Sequence, residues 1–298
     1  MSTKTSTKTA PDPRRHAFRN DLAAESLRGK VAAARYAKGE PRQVVYPAIP
    51  LWAEPDARQD WATQALFGER VTVYEEKGGW AWVQLERDGY VGYVQARALS
   101  AQVRRPTHKV RAPGTCVYAA ANARAQTGPH LSMTSLLSVA ETSAAFSRLA
   151  EGGFVPTRHI AELGRFAPDF VAVAERFAGT PYVWGGKTRL GIDCSGLVQV
   201  AMHAAGLDCP RDSDMQQAEL GRAIAVGGGL DGLERGDLVF WSGHVGIMTD
   251  AFMLLHANAY HMAVTAEPLR GAVDRIARGG LEIAAVRRLE AKGLKAGA

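Results

Sequence analysis

One stretch constrains this chain more than any other: Thr180 to Gly196, TPYVWGGKTRLGIDCSG, which runs directly into the helical pattern LVQVAMHAAG. Cys194 therefore falls at a helix N-terminus. Unpaired backbone N–H groups and the helix dipole there favour an anion. A thiol so placed loses its proton more readily, and the thiolate is the nucleophilic form. Asp193 is suited to cap the helix, and Gly185 and Gly186 let the backbone pass close to something bulky. The stretch predicts a nucleophilic cysteine, which needs a base from elsewhere in the chain.

Downstream lie strand patterns: DLVFW at 237–241, HVGIM at 244–248, FMLLHA at 252–257 and a closing EIAAVRRL at 282–289. With a hairpin loop at Thr249–Ala251, Met248 faces Phe252 and His244 faces His256. Both imidazoles then project from one side of the sheet. One serves as base, and the other fixes its tautomer through a ring nitrogen. Residues 165–178 read as an amphipathic helix with Pro168 in its first turn. Helices first and antiparallel strands after them make an α+β domain. A cysteine at a helix N-terminus, a histidine on a strand and a polar residue on the next strand is the arrangement of papain-like cysteine peptidases. The competing reading is a metal held by Cys194, His244 and His256, but no HExxH or paired-cysteine spacing supports it. No metal or other cofactor is expected. Cys116 and Cys209 read as inert small hydrophobes, and three cysteines without a CxxC do not make a disulfide scaffold.

The chain is long for one core, so further domains precede this one. Residues 41–103 hold short alternating strands (VTVYEE, WAWVQLE, YVGYVQ) separated by Lys77-Gly78-Gly79 and Arg87-Asp88-Gly89. That pattern predicts a small barrel. Residues 104–163 suggest a second, diverged barrel, because GGFVPTRHI echoes GYVGYVQARAL. Ala, Leu, Arg and Lys dominate residues 21–40, which predicts a helical lead-in capped by Asp21. Residues 1–20 read as a disordered basic tail. Four of the six excess positive charges lie within residues 1–30. The rest is close to balanced and has no basic patch interleaved with aromatics, so nucleic acid is not an expected partner. No segment has the apolar length of a membrane span. The N-terminal stretch lacks the apolar core of a secretory signal, so the expected location is cytoplasmic.

Taken together, PYVWGG…DCSGLVQ, CPRDSDMQ, GDLVFW…HVGI and His256, in this order, resemble the NlpC/p60 family of cell-wall cysteine peptidases. The resemblance covers residues 164–290. It implies a papain-like fold, a triad of Cys194, His244 and His256, and Tyr182 beside the oxyanion site formed with the Cys194 N–H. Peptidoglycan stem peptides are the substrates it implies. The run GGWAWVQLERDGYVGYVQARAL resembles the end of a bacterial SH3-like barrel. With Arg211-Asp212, it narrows the resemblance to γ-D-glutamyl-L-diamino acid endopeptidases, which act on peptides with a free N-terminal L-Ala. In that group an acid of the PRD motif, a barrel tyrosine and a barrel acid hold the amine. Asp212, Tyr90 and Glu69 match those positions, and Asp193 and Ser195 flank the nucleophile. A buried ammonium needs such partners. The structural alternative for Asp212 is an ion pair with Arg211. Lys187 and Arg189 add two charges near the cleft, which either meet substrate carboxylates or face solvent. The implied partner is a murein-derived peptide such as L-Ala-γ-D-Glu-diaminopimelate. Two alternatives stay open: an exported hydrolase of intact murein, and a catalytically silent binding module.

Overall fold

The computed structural model describes residues 11–227 and 229–290. Its first unit is a five-stranded antiparallel sheet in the order Val91–Gln95, Trp80–Leu85, Arg70–Lys77, Glu40–Val44, Leu99–Ser100. A hairpin of Ala48–Leu51 with Thr63–Leu66 accompanies it. Alternation along the strands sends Val71, Val73, Val83 and Leu85 into one core with Val44 and Leu51. Gly78 and Gly79 both have positive φ, 60° and 81°, which a two-residue hairpin turn of this hand requires.

Residues 21–40 are not helical. Leu22–Ala24 pairs in parallel with Arg35–Ala37, and a single 3-10 turn, Glu25–Leu27, lies between them. A short isolated helix is marginal whatever its propensity. Here Leu22, Ala23 and Ala24 are all buried in succession, and Leu22, Ala24 and Leu27 pack with Trp82 of the barrel. Within the expected tail, residues 1–10 lie outside the described residues, but residues 11–20 are ordered. Ala17 is buried, the Arg14 carbonyl accepts the Val91 N–H at 2.8 Å, and the Arg19 guanidinium lies 4.4 Å over the Trp82 ring. Burial of Ala17 and stacking on Trp82 offset the entropy that the composition would otherwise favour.

The second unit has its own core, with Val110, Leu131, Leu149 and Val155 at its centre. A five-stranded sheet, Thr127–Ser132 to Val139–Thr142, packs with a three-stranded one around His108–Val110. The succession strand, 3-10 turn, strand at Phe154–Glu162 matches that at Val91–Ser100 of the first barrel.

The C-terminal domain begins with helix α1, Phe170–Glu175, which starts later than the pattern suggests. Asp169 caps it through the Val171 N–H at 2.8 Å, leaving Pro168 outside. Helix α2 is Cys194–Ala204 and α3 is Ser213–Glu219. Six antiparallel strands follow: β1 Arg222–Ile224, β2 Leu238–Trp241, β3 His244–Met248, β4 Met253–Asn258, β5 Ala263–Pro268 and β6 Ala285–Arg288, ordered β1-β6-β2-β3-β4-β5. Helix α4, Leu269–Ala277, lies between β5 and β6. Leu238, Phe240, Val245, Ile247 and Leu255 bury one face of the sheet against α1 and α2. Val239, Trp241, Leu254 and Leu269 form a second core with α4. The protein is thus α+β, a few helices on antiparallel sheet behind an SH3-like barrel.

Candidate active site

Asp193 fixes the start of α2. Its Oδ1 accepts the Gly196 N–H at 2.7 Å, and its Oδ2 accepts the Gly185 N–H at 2.8 Å. One carboxylate therefore joins the double-glycine turn to the helix that carries Cys194. The Sγ of Cys194 receives the backbone N–H groups of Val245 and Ser195. Val245 follows His244, so the start of β3 abuts the sulfur. Burial outweighs these donors: it pushes the Cys194 thiol up to about 12, with the Asp193 charge adding to the rise. Burial likewise pushes His244 down to about 3. The expectation of a depressed thiol from helix placement alone is thus reversed. Both shifts favour a neutral thiol beside a neutral imidazole.

The two histidines share one face, but not by the expected register. β3 and β4 pair Met248 with Leu254 and Ile247 with Leu255, a shift of two from a three-residue loop. Asp250 causes it: its Oδ1 accepts the N–H groups of Phe252 and Met253 at 2.7 and 2.9 Å, which lengthens the turn. A shift of two keeps every side chain on its original face. His244 and His256 become diagonal neighbours, and His244 Nε2 lies 2.8 Å from His256 Nδ1. His256 Nε2 lies 2.8 Å from Glu267 Oε1 on β5, and Arg275 of α4 ion-pairs with that carboxylate. The tautomers follow. A carboxylate only accepts, so His256 carries its proton on Nε2 and presents a bare Nδ1. His244 then donates from Nε2, and its own Nδ1 is left free as a base.

A cavity of about 370 Å³ opens beside Cys194. One wall comes from the barrel. The Tyr90 hydroxyl donates to Asp212 Oδ2 at 3.1 Å, and Arg14 of the N-terminal arm donates to the same oxygen at 2.9 Å. Arg14 also bonds Asp12 and Asp214. Asp212 occupies the N-cap position of α3 yet makes no capping bond, because its carboxylate is turned to these partners. Burial pushes Asp212 up, and Arg211 and Arg14 pull it back. Arg211 does not pair with Asp212. Fully buried, it donates to Asp193 at 2.6 Å, to the Ser195 hydroxyl at 2.7 Å and to Thr63 of the barrel at 2.7 Å. Ser195 and Asp193 thus line the cavity while holding its floor. Tyr182 packs on the same core as Cys194, and a thiolate there pushes its phenol up, after burial, to about 12.

Glu69 is not part of this wall. It is buried within the barrel, where it accepts the Leu66 N–H at 3.0 Å and pairs with Arg87 at 3.1 Å. The barrel acid that lines the cavity is Asp60, next to Trp61. Trp61 is the bulky neighbour implied by the double glycine: a Cβ on Gly185, whose φ is +71°, would collide with the indole. Lys187 and Arg189 do not line the cavity. Lys187 is buried 3.8 Å from Asp88 of the barrel, and Arg189 bonds the Thr180 hydroxyl. Cys209 is buried, its thiol pushed up by burial. His256, His261 and Glu267 bring ligand atoms close together, but Arg275 already compensates the carboxylate, so the group reads as a hydrogen-bond relay.

Residues 51–99 match the family model described as the bacterial dipeptidyl-peptidase Sh3 domain, and residues 179–275 match that of the NlpC/P60 family. The chain thus carries an SH3-type domain and an NlpC/P60 domain. A γ-D-glutamyl-L-lysine dipeptidyl-peptidase of Bacillus subtilis is 27% identical over 218 residues, covering 65% of this chain and 71% of the relative. Dipeptidyl-peptidase 6 of Lysinibacillus sphaericus is 25% identical over 240 residues, covering 70% and 84%. The crystal structure of an NlpC/P60 family protein from Bacillus cereus superposes with a TM-score of 0.69 at 21% identity, over 84% of this chain and 99% of that one, a likeness of fold.

The candidate site holds three residues that sequence reasoning missed. Glu267 sits in AVTAEP, a short strand with weak alternation. Asp60 lies in a polar loop, where the adjacent Trp61 was the available signal. Arg14 lies in a segment whose composition suggests no order at all.

Proposed function

We propose that this peptidase is a cysteine endopeptidase cleaving the γ-D-glutamyl–diamino acid bond of murein stem peptides that carry a free N-terminal L-Ala. The observation that carries the reading is the wall of the Cys194 cavity where Tyr90 and Asp60 of the barrel stand with Asp212 of the C-terminal domain. An ammonium entering there meets carboxylates and an aromatic hydroxyl in a half-buried setting, where charge-assisted bonds are strong. An L-Ala amide-linked to muramic acid offers no such cation and would extend into the wall.

In this mechanism His244 takes the Cys194 proton on its free ring nitrogen as sulfur attacks the γ-carbonyl carbon. Backbone N–H groups at the start of α2, with Tyr182, stabilise the oxyanion. The tetrahedral intermediate collapses to a thioester, and His244 returns the proton to the departing amine of the diamino acid. Water, deprotonated by His244, then attacks the thioester and releases L-Ala-D-Glu, and the proton restores the thiol. His256 and Glu267 stabilise the imidazolium that appears at each stage. Free peptides of this kind are already detached from the wall. We therefore assign the enzyme to their recycling in the cytoplasm, which fractionation of cells with antibody to the protein tests.

Mass spectrometry of products from free L-Ala-γ-D-Glu-meso-diaminopimelate and its muramyl-capped form tests the main reading, with Cys194→Ala as control. Cleavage of the free peptide alone, lost in the variant, is the expected result. Equal cleavage of both points to a hydrolase of intact murein, and cleavage of neither points to a silent module.

A further inference from the structure

A second cavity, of about 380 Å³, lies between the second β unit and the C-terminal domain. It is remote from the nucleophile. Ala204, the last residue of α2, lines it, while Cys194 is the first residue of that helix, so the two are about 15 Å apart along the axis. Four cationic residues line it: Lys109, Arg111, Arg165 and Arg176.

Lys109 is the anomaly. It is only 8% exposed, yet no carboxylate pairs with it among the described residues. Its Nζ lies 3.8 Å from the centre of the Phe166 ring, which itself lines the cavity. The charged neighbour it does have, Arg87, repels it and is already paired with Glu69. Together, burial and Arg87 push the Lys109 ammonium down to about 8. Arg176 spends one donor on the Arg111 carbonyl at 3.0 Å, and the Arg111 charge opposes its own. The one carboxylate in the lining, Asp169, caps α1 and pairs with Arg235. The carbonyl end of α2 contributes about half a negative charge, against four positive side chains that have no carboxylate partner among the described residues. Burying an ammonium without a counter-charge is costly, and native proteins normally supply one.

We infer that this cleft is a binding site for a small organic oxyanion, its phosphate or carboxylate group held by Lys109 and the surrounding arginines. Guanidinium forks match both oxyanions, and Val110, Ile160 and Val173 provide an apolar surface for the rest of the molecule. The site does not depend on the proposed peptide substrate.

The test is isothermal titration of the full chain, in a buffer without other oxyanions and at fixed ionic strength, with inorganic phosphate and separately with succinate. Binding is expected, with a dissociation constant at least tenfold weaker in Lys109→Met, whose turnover of the peptidase substrate stays at the wild-type value. Phosphate binding alone assigns a phosphorylated ligand, and succinate binding alone a carboxylate one. Absence of both, or binding unchanged in the variant, overturns the inference. Should Lys109→Met not fold, the exposed pair Arg165→Gln and Arg176→Gln carries the same expectation and the same refutation.

Discussion

Replacing Glu267 by Gln tests the relay that orients the base. The carboxylate lies 2.8 Å from His256 Nε2, and the His256 side chain is wholly buried. A hydrogen bond to a charged group in such a setting contributes about 1.5–3 kcal/mol. If that stabilisation acts on the imidazolium of the transition state, kcat falls by about 10- to 150-fold, at about 1.4 kcal/mol per tenfold. The pH dependence separates this from simple damage. His244 is held down by burial first, then by His256 and Arg275, while Asp193 and Glu267 pull it up. Removing the Glu267 charge leaves Arg275 uncompensated, so His244 is pushed lower still. The acid limb of kcat should therefore move to lower pH while the plateau falls. A site loosened by the substitution would instead admit water and carry the limb up toward the ordinary histidine range. Adding Arg275→Met to Glu267→Gln should recover part of the lost rate, because it removes the opposing cation. Single-turnover and steady-state rates from pH 3 to 9 provide the assay. A Glu267→Gln enzyme within twofold of wild type, or with its acid limb raised, refutes the relay.

Three further outcomes follow from the cavity. Asp212→Asn should raise KM for the free-amine peptide at least tenfold with a smaller change in kcat, because the amide keeps the shape and loses the charge; steady-state kinetics on free and acetylated peptides reads this. Arg14→Ala should act mainly on the acid side. Burial raises Asp212 and Arg14 lowers it, so without Arg14 the carboxylate protonates at higher pH and KM rises there first. The ion pair is part-exposed, worth about 0.2–1 kcal/mol, so the shift in the KM profile should stay below about one pH unit. Alkylation of Cys194 by iodoacetamide in the free enzyme should climb steadily from pH 7 to 10, since burial holds the thiol well above the ordinary range; a rate already at its plateau at pH 7 would mean a resting thiolate.

What the sequence carries here is local. The Cys194 helix could be read because its cap, its glycine turn and its apolar face lie within one short stretch, each imposing a known constraint. The shared face of His244 and His256 was readable for a different reason. Side-chain direction in a strand depends only on parity, so a register error of two residues, caused by Asp250, leaves the two rings on one side. What failed was everything that depends on how units meet. Glu69 and Asp60 are both acids of the same barrel, nine residues apart. Only the docking of Trp61 on Gly185 decides which of them faces the cavity, and docking leaves no periodic trace. The same holds for Lys187, which reads as a surface charge until Asp88 of the barrel is seen beside it. Arg14 is the extreme case. Its segment has no apolar pattern to predict order, yet one main-chain bond to Val91 and ion pairs to Asp12, Asp212 and Asp214 bring it into the cavity. The residues that set the charge of the cavity thus come from four separate stretches of chain, and their association rests on burial at the junction. A charge change at Asp88, which is far from Cys194 in sequence, or at its partner Lys187 should therefore alter peptide affinity as well as stability.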